Sequence, residues 1–179
     1  MLDGEIYEAS HQGFFDRLAA TREKLHDFNT LRPGMLGEQH ALLRSILGGC
    51  GSRFHFNQPF RCDYGCNIFI GENFFANFNL TILDEARVTI GDNVFIGPDV
   101  SIYTACHPLD PASRNAGVQW AEPVTIGNNV WIGGKTVILP GVTIGSDTVI
   151  GAGSVVTRSI PSSVVAAGNP ARVIRSLNS

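Results

Sequence analysis

Residues 124–156 read VTIGNNVWIGGKTVILPGVTIGSDTVIGAGSVV. Within them Ile126, Ile132, Ile138, Ile144, Ile150 and Val156 stand six apart, most of them followed by glycine. Two residues before each stands a smaller side chain, Val124, Val130, Thr136, Val142, Thr148 or Ser154. On the two-residue period of a strand, each such pair shares one inward face. Between the strands come Asn128-Asn129, Pro140-Gly141, Ser146-Asp147 and Ala152-Gly153, residue types suited to tight turns and positive φ. A strand and a turn every six residues describe a three-sided parallel β-helix in which each coil takes about eighteen residues. Its interior is then a stack of isoleucines.

Working outward, the same spacing occurs at Ile70 and Ile82 and again at Ile90, Ile96 and Ile102. A slip of two residues between Ile82 and Ile90 marks an insertion at a corner. Ile102 and Ile126 lie four whole hexads apart, so the phase survives across residues 103–123, which are expected as an extruded loop. Long loops leaving a rigid solenoid tend to carry function. The expected body runs over residues 51–167 as roughly five coils, about 25 Å tall at about 4.8 Å per coil. Upstream, Phe14, Phe15, Leu18, Leu25 and Phe28, then Ala41, Leu42, Leu43, Ile46 and Leu47, recur at helical spacing on either side of Pro33-Gly34. Residues 1–50 are therefore expected as a helical cap over the open end of the solenoid. Residues 168–179, opening on Gly168-Asn169-Pro170, form the closing tail. Trp131, Val137, Val149 and Val155 point outward on this phase, and an apolar strip of that size predicts a partner surface.

Composition narrows the function classes. Of 179 residues 44% are hydrophobic and 16% charged, which excludes a disordered chain, and no apolar run reaches the roughly 20 residues of a membrane span. A formal charge of −3 lacks the basic field that nucleic-acid binding needs. The start, MLDGEIYEAS, shows no export signal, so the expected compartment is the cytoplasm. Cys50, Cys62, Cys66 and Cys106 are too few and too irregular for a disulfide scaffold and are expected as reduced thiols, with a reactive Cys106 beside His107 as the other reading. No metal site is expected, because among the coils beyond His55 only His107 offers an imidazole. That count disfavours a zinc-dependent carbonic anhydrase on the same solenoid, and the mixed outward residues disfavour an ice-binding lattice.

The hexads, the loop Tyr103-Thr104-Ala105-Cys106-His107-Pro108 and Trp131-Ile132-Gly133-Gly134 resemble the hexapeptide-repeat acyltransferases. Phe60-Arg61-Cys62-Asp63-Tyr64-Gly65, Asn77-Phe78-Asn79 and Gly168-Asn169-Pro170-Ala171-Arg172 narrow the resemblance to the maltose and galactoside O-acetyltransferases, from Gly4 to Ile174. It implies an all-β solenoid, a left-handed parallel β-helix with a helical cap and an extruded catalytic loop. It also implies a homotrimer, with acetyl-CoA and a sugar acceptor meeting in clefts between subunits. His107 matches the family's catalytic histidine. Asn77 matches an asparagine beside the acceptor; the alternative for it is a rung of an asparagine ladder. Asp63 and Glu85 match residues that contact the sugar, although Glu85 replaces an aspartate and Ala9 stands where relatives carry another, which leaves the acceptor open. Gly134 matches a backbone amide facing the thioester, and Trp131, Ala152 and Gly153 match the cofactor cleft. Thr157, Arg158 and Arg172 match the CoA nucleotide end, where arginine's fork of donors suits phosphate.

The chemistry agrees with the resemblance on one point independently. A sugar hydroxyl attacks a thioester well only if a base removes its proton during attack, and histidine is the side chain best matched to neutral pH. Of His11, His26, His40, His55 and His107, only the last sits in the extruded segment. The alternative function is acetyl transfer to a lipo-oligosaccharide, a polysaccharide precursor or an antibiotic.

Overall fold

The computed structural model describes residues 6–8 and 12–177. Ala9 and His11 lie outside the described residues.

Helix α1 (Gln12–Thr30) and helix α2 (Leu36–Ile46) precede a parallel β-solenoid. Its first face stacks Gly49–Cys50, Ile68–Ile70, Val88–Ile90, Val124–Ile126 and Thr143–Ile144. The second stacks Phe54–Phe56, Phe74–Ala76, Phe95–Ile96, Trp131–Ile132, Val149–Ile150 and Val164–Gly168. The third stacks Arg61–Cys62, Thr81–Leu83, Ser101–Tyr103, Val137–Ile138 and Val155–Val156. A last strand, Ala171–Ser176, turns back antiparallel on Val164–Gly168 and closes the far end. The six-residue spacing thus builds five full coils and part of a sixth.

Burial follows the period of two. Ile126, Ile132, Ile138, Ile144, Ile150 and Val156 are at most 1% exposed, and the small partners Val130, Thr136, Thr148 and Ser154 are fully buried. The buried hydroxyls return to the chain, Thr136 to the carbonyl of Gly133 (2.7 Å) and Thr148 to that of Pro161 (3.0 Å). At the helical end the isoleucine stack gives way to rings. Phe56 packs on Phe60 and Phe74 with centroids 4.9 and 5.0 Å apart, and Phe28, Leu25, Leu43 and Ile46 of the helices join the same core. Aromatic bulk fills the end of the prism, where no further coil stacks.

The three edges differ. Between the first and second faces the turns place Asn73, Asn93, Asn129, Asp147 and Ser163 at positive φ. Asn73, Asn93, Asn129 and Asp147 link in a ladder of amide hydrogen bonds of 2.8, 3.0 and 2.8 Å. Between the second and third faces lies a glycine edge, whose turns run through Gly97, Gly133-Gly134 and Gly151 to Gly153. Gly97 is tied to its place by stacking, since a Cβ there would come within 2.5 Å of Gly134 N. Both edges hold the spacing of six. Every departure falls on the third edge, between the third and first faces. Cys62 to Ile70 and Ile82 to Ile90 take eight residues, Ile102 to Ile126 takes twenty-four, and Val156 to Ile160 takes four. The early coils are consequently twenty residues long, Phe54 pairing with Phe74 and Phe75 with Phe95, whereas Trp131 pairs with Val149 at the expected eighteen.

Two expectations need correction. The outward apolar residues do not form one strip: Trp131 and Val149 lie on the second face, Val137 and Val155 on the third, because positions six apart fall on successive faces. The contiguous column is His55, Phe75, Phe95, Trp131 and Val149 on the second face, with Phe95 and Trp131 53% and 59% exposed. The segment at 103–123 is also no plain loop. It holds strands Ala105–Cys106 and Val118–Ala121 around the short helix α3 (Pro111–Asn115), which Asp110 caps by accepting from Ser113 N–H at 2.8 Å. Val118–Ala121 pairs antiparallel with Tyr7–Glu8, so the start of the chain is drawn onto this arm.

Candidate active site

The arm leaves the third edge at Thr104, which is fully buried. Its Oγ donates to the Leu83 carbonyl (2.8 Å) and accepts from Ala86 N–H (2.9 Å), tying the root of the arm to the corner of the coil below. That corner contains Asp84, also fully buried. One of its oxygens accepts from Asp63 N–H (3.1 Å) and Tyr64 N–H (2.9 Å), and the other from Asn67 N–H (3.3 Å). Burial is the largest influence on it and raises its carboxyl to about 6. Asp84 thus clamps the widened corner of the first coil to that of the second.

On this clamp the structure brings Asp63 and Glu85 together as a hydrogen-bonded pair. Desolvation pushes both carboxyls up. The Asp63 charge raises Glu85 further, to about 7, whereas the hydrogen bond from Glu85 and the charge of Arg22 oppose the rise on Asp63. Below about pH 7 Glu85 is therefore the member of the pair that holds the proton, with Asp63 as its acceptor. The two carboxyls expected at the sugar thus stand as one pair, each raised by burial.

Tyr7 and Tyr64 stand over the pair. Burial is the main reason that both phenols are raised, Tyr64 to about 12, with the charges of Glu85 and Asp63 adding to each. Tyr7 is fixed by a hydrogen bond from Gln119 of the arm (2.8 Å). A groove of about 360 Å³ runs from Asp63 between α1 and the third face, over Leu25, Phe60 and Leu83 with Arg22 and Arg61 beside it. Tyr7, Tyr64, Asp84 and Gln119 join the site with no role assigned to them by the sequence, although Tyr64 lies within the Phe60–Gly65 motif. The eight-residue spacings at 62–70 and 82–90 mark Tyr64 and Asp84; nothing local marks the pairing of Tyr7 with Gln119, 112 residues away.

His107 follows on the same edge. It is exposed and makes no hydrogen bond among the described residues. Its neighbour Cys106 is not activated: burial, then the charges of Glu122 and Glu85, raise its thiol, against the reading of a reactive thiolate.

The remaining residues gather elsewhere. Asn77, Gly134, Ala152 and Gly153 stack on the glycine edge, across the third face from His107. Asn77 is off the ladder of Asn73, Asn93, Asn129 and Asp147, and it accepts from the amide of Asn57 one coil below (3.3 Å). Gly134's carbonyl accepts from Gly153 N–H (2.9 Å), but the N–H groups of Gly134 and Ala152 have no acceptor among the described residues. Gly153, at φ +70°, has nothing within 4 Å of where a Cβ would stand. These bare amides suit a carbonyl-bearing chain laid along the edge, and the thioester and pantetheine amides of acetyl-CoA fit that requirement. Arg158 and Arg172 share a pocket of about 190 Å³ with Ile160, Pro161 and Val173, and Thr157 is exposed next to Arg158. Trp131 stands clear on the second face. Among the described residues no three His, Cys, Asp or Glu side chains converge as a metal site, and no helix is long and apolar enough to cross a membrane.

The two groups are separated by the third face. A three-residue strand and its flanking turns span about 15 Å at about 3.3 Å per residue. A base at one side and amide donors at the other cannot act on one reacting carbonyl, whose partners must lie about 3 Å from it.

Comparison with known proteins gives three matching family models: the maltose acetyltransferase hexapeptide capping motif over residues 1–51, a hexapeptide repeat of succinyl-transferase over 87–102, and the bacterial transferase hexapeptide (six repeats) over 123–158. The galactoside O-acetyltransferase of Escherichia coli is 44% identical over 98% of this chain and 86% of its own length. Among solved structures, a galactoside acetyltransferase in complex with coenzyme A superposes with a TM-score of 0.95 at 44% identity, covering 98% of this chain and 88% of that one. A maltose O-acetyltransferase from Clostridium difficile gives 0.98 at 44% identity, over 99% and 95%.

Proposed function

The chain belongs to the hexapeptide-repeat maltose and galactoside O-acetyltransferases, and from that premise we propose how this acetyl-CoA-dependent sugar O-acetyltransferase works and on what. The observation that carries the reading is the division of the site between two edges of one prism. The broken edge of one protomer supplies His107, Asp63 and Glu85; the glycine edge of its neighbour supplies Asn77 and the free amides of Gly134 and Ala152. The column of half-buried Phe75 and exposed Phe95 and Trp131 is the surface that seats the neighbour, and three copies close the ring. The four thiols are free, as in a reducing compartment, and the cytoplasm is the proposed place of work.

The acceptor is a glucoside or galactoside, with its ring over the Asp63–Glu85 pair and any aglycone in the groove beside α1. The pair suits a polyol, because Asp63 accepts and protonated Glu85 donates, matching hydroxyls that do both. His107 takes the proton of the attacking hydroxyl as its oxygen adds to the thioester carbonyl. Asn77 and the Gly134 amide hold the negative oxygen that forms, and collapse expels the CoA thiolate, which the imidazolium protonates. Acetyl passes directly between the substrates. The raised thiol of Cys106 supports that route, since a thiol kept protonated is a poor nucleophile.

Acetyl-CoA with a panel of glucosides, galactosides and amino sugars, followed by chromatography for free CoA and the acetyl ester, tests the acceptor. Sugar-dependent ester formation is expected. Transfer to an antibiotic or a polysaccharide precursor with none to simple sugars would replace the acceptor class. Sedimentation should give a species of three 19.3 kDa chains, and a stable monomer that retained activity would overturn the shared site.

A further inference from the structure

The turn that carries Asn77 contains a run of hydrogen bonds whose polarity is dictated from one end. A backbone N–H can only donate, so the 2.8 Å contact from Phe78 N makes Asn77 Oδ1 an acceptor. The second contact at that oxygen, 3.3 Å from the Asn57 side chain one coil below, must then come from the amide nitrogen of Asn57. This turns Asn57 Oδ1 the other way, onto His55 Nε2 at 3.0 Å, so Nε2 carries the hydrogen. His55 in turn lies flat against Phe75, with centroids 5.8 Å apart and planes within 13°. The oxygen of Asn77 is thereby saturated. Its Nδ2 has no acceptor among the described residues.

We propose that His55 and Asn57 are positioning residues that hold Asn77 as a hydrogen-bond donor, with Nδ2 presented to the oxygen that becomes negative during acetyl transfer. The inference rests on the role given to Asn77 above. An amide is nearly the same shape either way round, yet only one orientation stabilises an oxyanion while the other opposes it, so its supports decide the sign of its contribution. Neither His55 nor Asn57 touches the reacting atoms. They act by adding a second donor to the oxygen that Phe78 N–H already engages, which strengthens that orientation.

Four variants decide the matter, each measured for kcat, KM for acetyl-CoA and melting temperature. Asn77→Ala sets the scale and should lose about 100-fold in kcat, the loss usual for one oxyanion donor. Asn57→Asp should approach that loss with KM and melting temperature unchanged, because a carboxylate accepts from His55 and demands a donor from Asn77, reversing its amide. Asn57→Ala should lose less, since Phe78 N–H still holds Asn77. His55→Gln, which retains a donor, should keep more activity than His55→Phe. A structural role would give the opposite order at position 57, with the truncation worse than the near-isosteric aspartate and a lowered melting temperature, and that result overturns the inference. So does Asn57→Asp at the native rate while Asn77→Ala is slow. An Asn77→Ala enzyme at the native rate removes instead the role of Asn77 on which the inference stands.

Discussion

Along the glycine edge every coil turns the corner in the same number of residues and the later coils offer bare backbone, whereas along the edge on the other side of the third face four corners differ from the hexad and offer side chains. Both belong to one solenoid with one interior. Holding the spacing stacks Gly97, Gly133 and Gly151 so closely that their backbones are the surface, and two of the amides exposed there lack acceptors. Widening a corner by two residues makes room for a buried carboxylate clamp and for the Asp63–Glu85 pair above it, and widening it further makes the arm of His107. Regular repetition generates donors of fixed geometry; interruption generates groups that titrate. A transfer reaction needs both kinds, and a prism places them on different edges.

The contrast can be broken first at the arm. His107→Ala should lower kcat by about 10² to 10⁴, the usual worth of a general base, and leave the melting temperature unchanged because the side chain is exposed and unbonded. Initial rates at saturating substrates and a thermal melt check both halves. A second blow falls on the clamp. Asp84→Ala strands three backbone N–H groups, each worth about 1 to 3 kcal/mol when buried without a partner, so a loss of about 3 kcal/mol after relaxation is expected in denaturant melts. On the glycine edge the side-chain links are single amide hydrogen bonds, Asn57 to Asn77 (3.3 Å) and Asn79 to Asp99 (3.0 Å), so no one truncation there strands three backbone donors.

A gentler probe removes one backbone donor without altering the turn. The coil below already has Pro98 at the position of Gly134 and Ala152, which shows that this turn accepts proline. Ala152→Pro should therefore fold normally and raise KM for acetyl-CoA by about 2- to 12-fold, the value of one hydrogen bond of about 0.5 to 1.5 kcal/mol. An unchanged KM would mean that the amide is unused. The smallest effect concerns the proton held on Glu85. Its carboxyl is raised from 4.5 to about 7 in the folded chain, so between those values the native state binds a proton that the unfolded chain has released. That contribution to stability is fully present below about pH 4 and is lost as pH rises through about 7. Glu85→Gln should flatten this part of the stability profile, measured by denaturant melts at pH 5 and pH 8. An unchanged slope would refute the proton held on Glu85.

The solenoid was legible in the sequence because one inward residue per six is a one-dimensional pattern, and the isoleucines from Ile126 to Ile150 occupy the core in the order in which they are written. The slip at Ile82 to Ile90 was also legible, and it proved to lie on the edge that carries the site. The chain of His55, Asn57 and Asn77 could not be read in this way, because Asn57 and Asn77 meet only once twenty residues have been wound into a coil. The early coils escaped the eighteen-residue expectation for the same reason: a corner can lengthen without disturbing the phase of the faces. Trp131, Val137, Val149 and Val155 share a phase in the sequence but not a surface, since adjacent hexads lie on different faces. The sequence by itself determined which residues turn inward and which types of side chain stand at the corners. Only the tertiary structure decided that Glu85 pairs with Asp63, that Tyr7 is carried to them by the arm, and that His107 and Asn77 stand on opposite sides of one face. Those facts depend on distances between residues remote along the chain, and periodicity fixes the direction of a side chain without fixing the partner it meets.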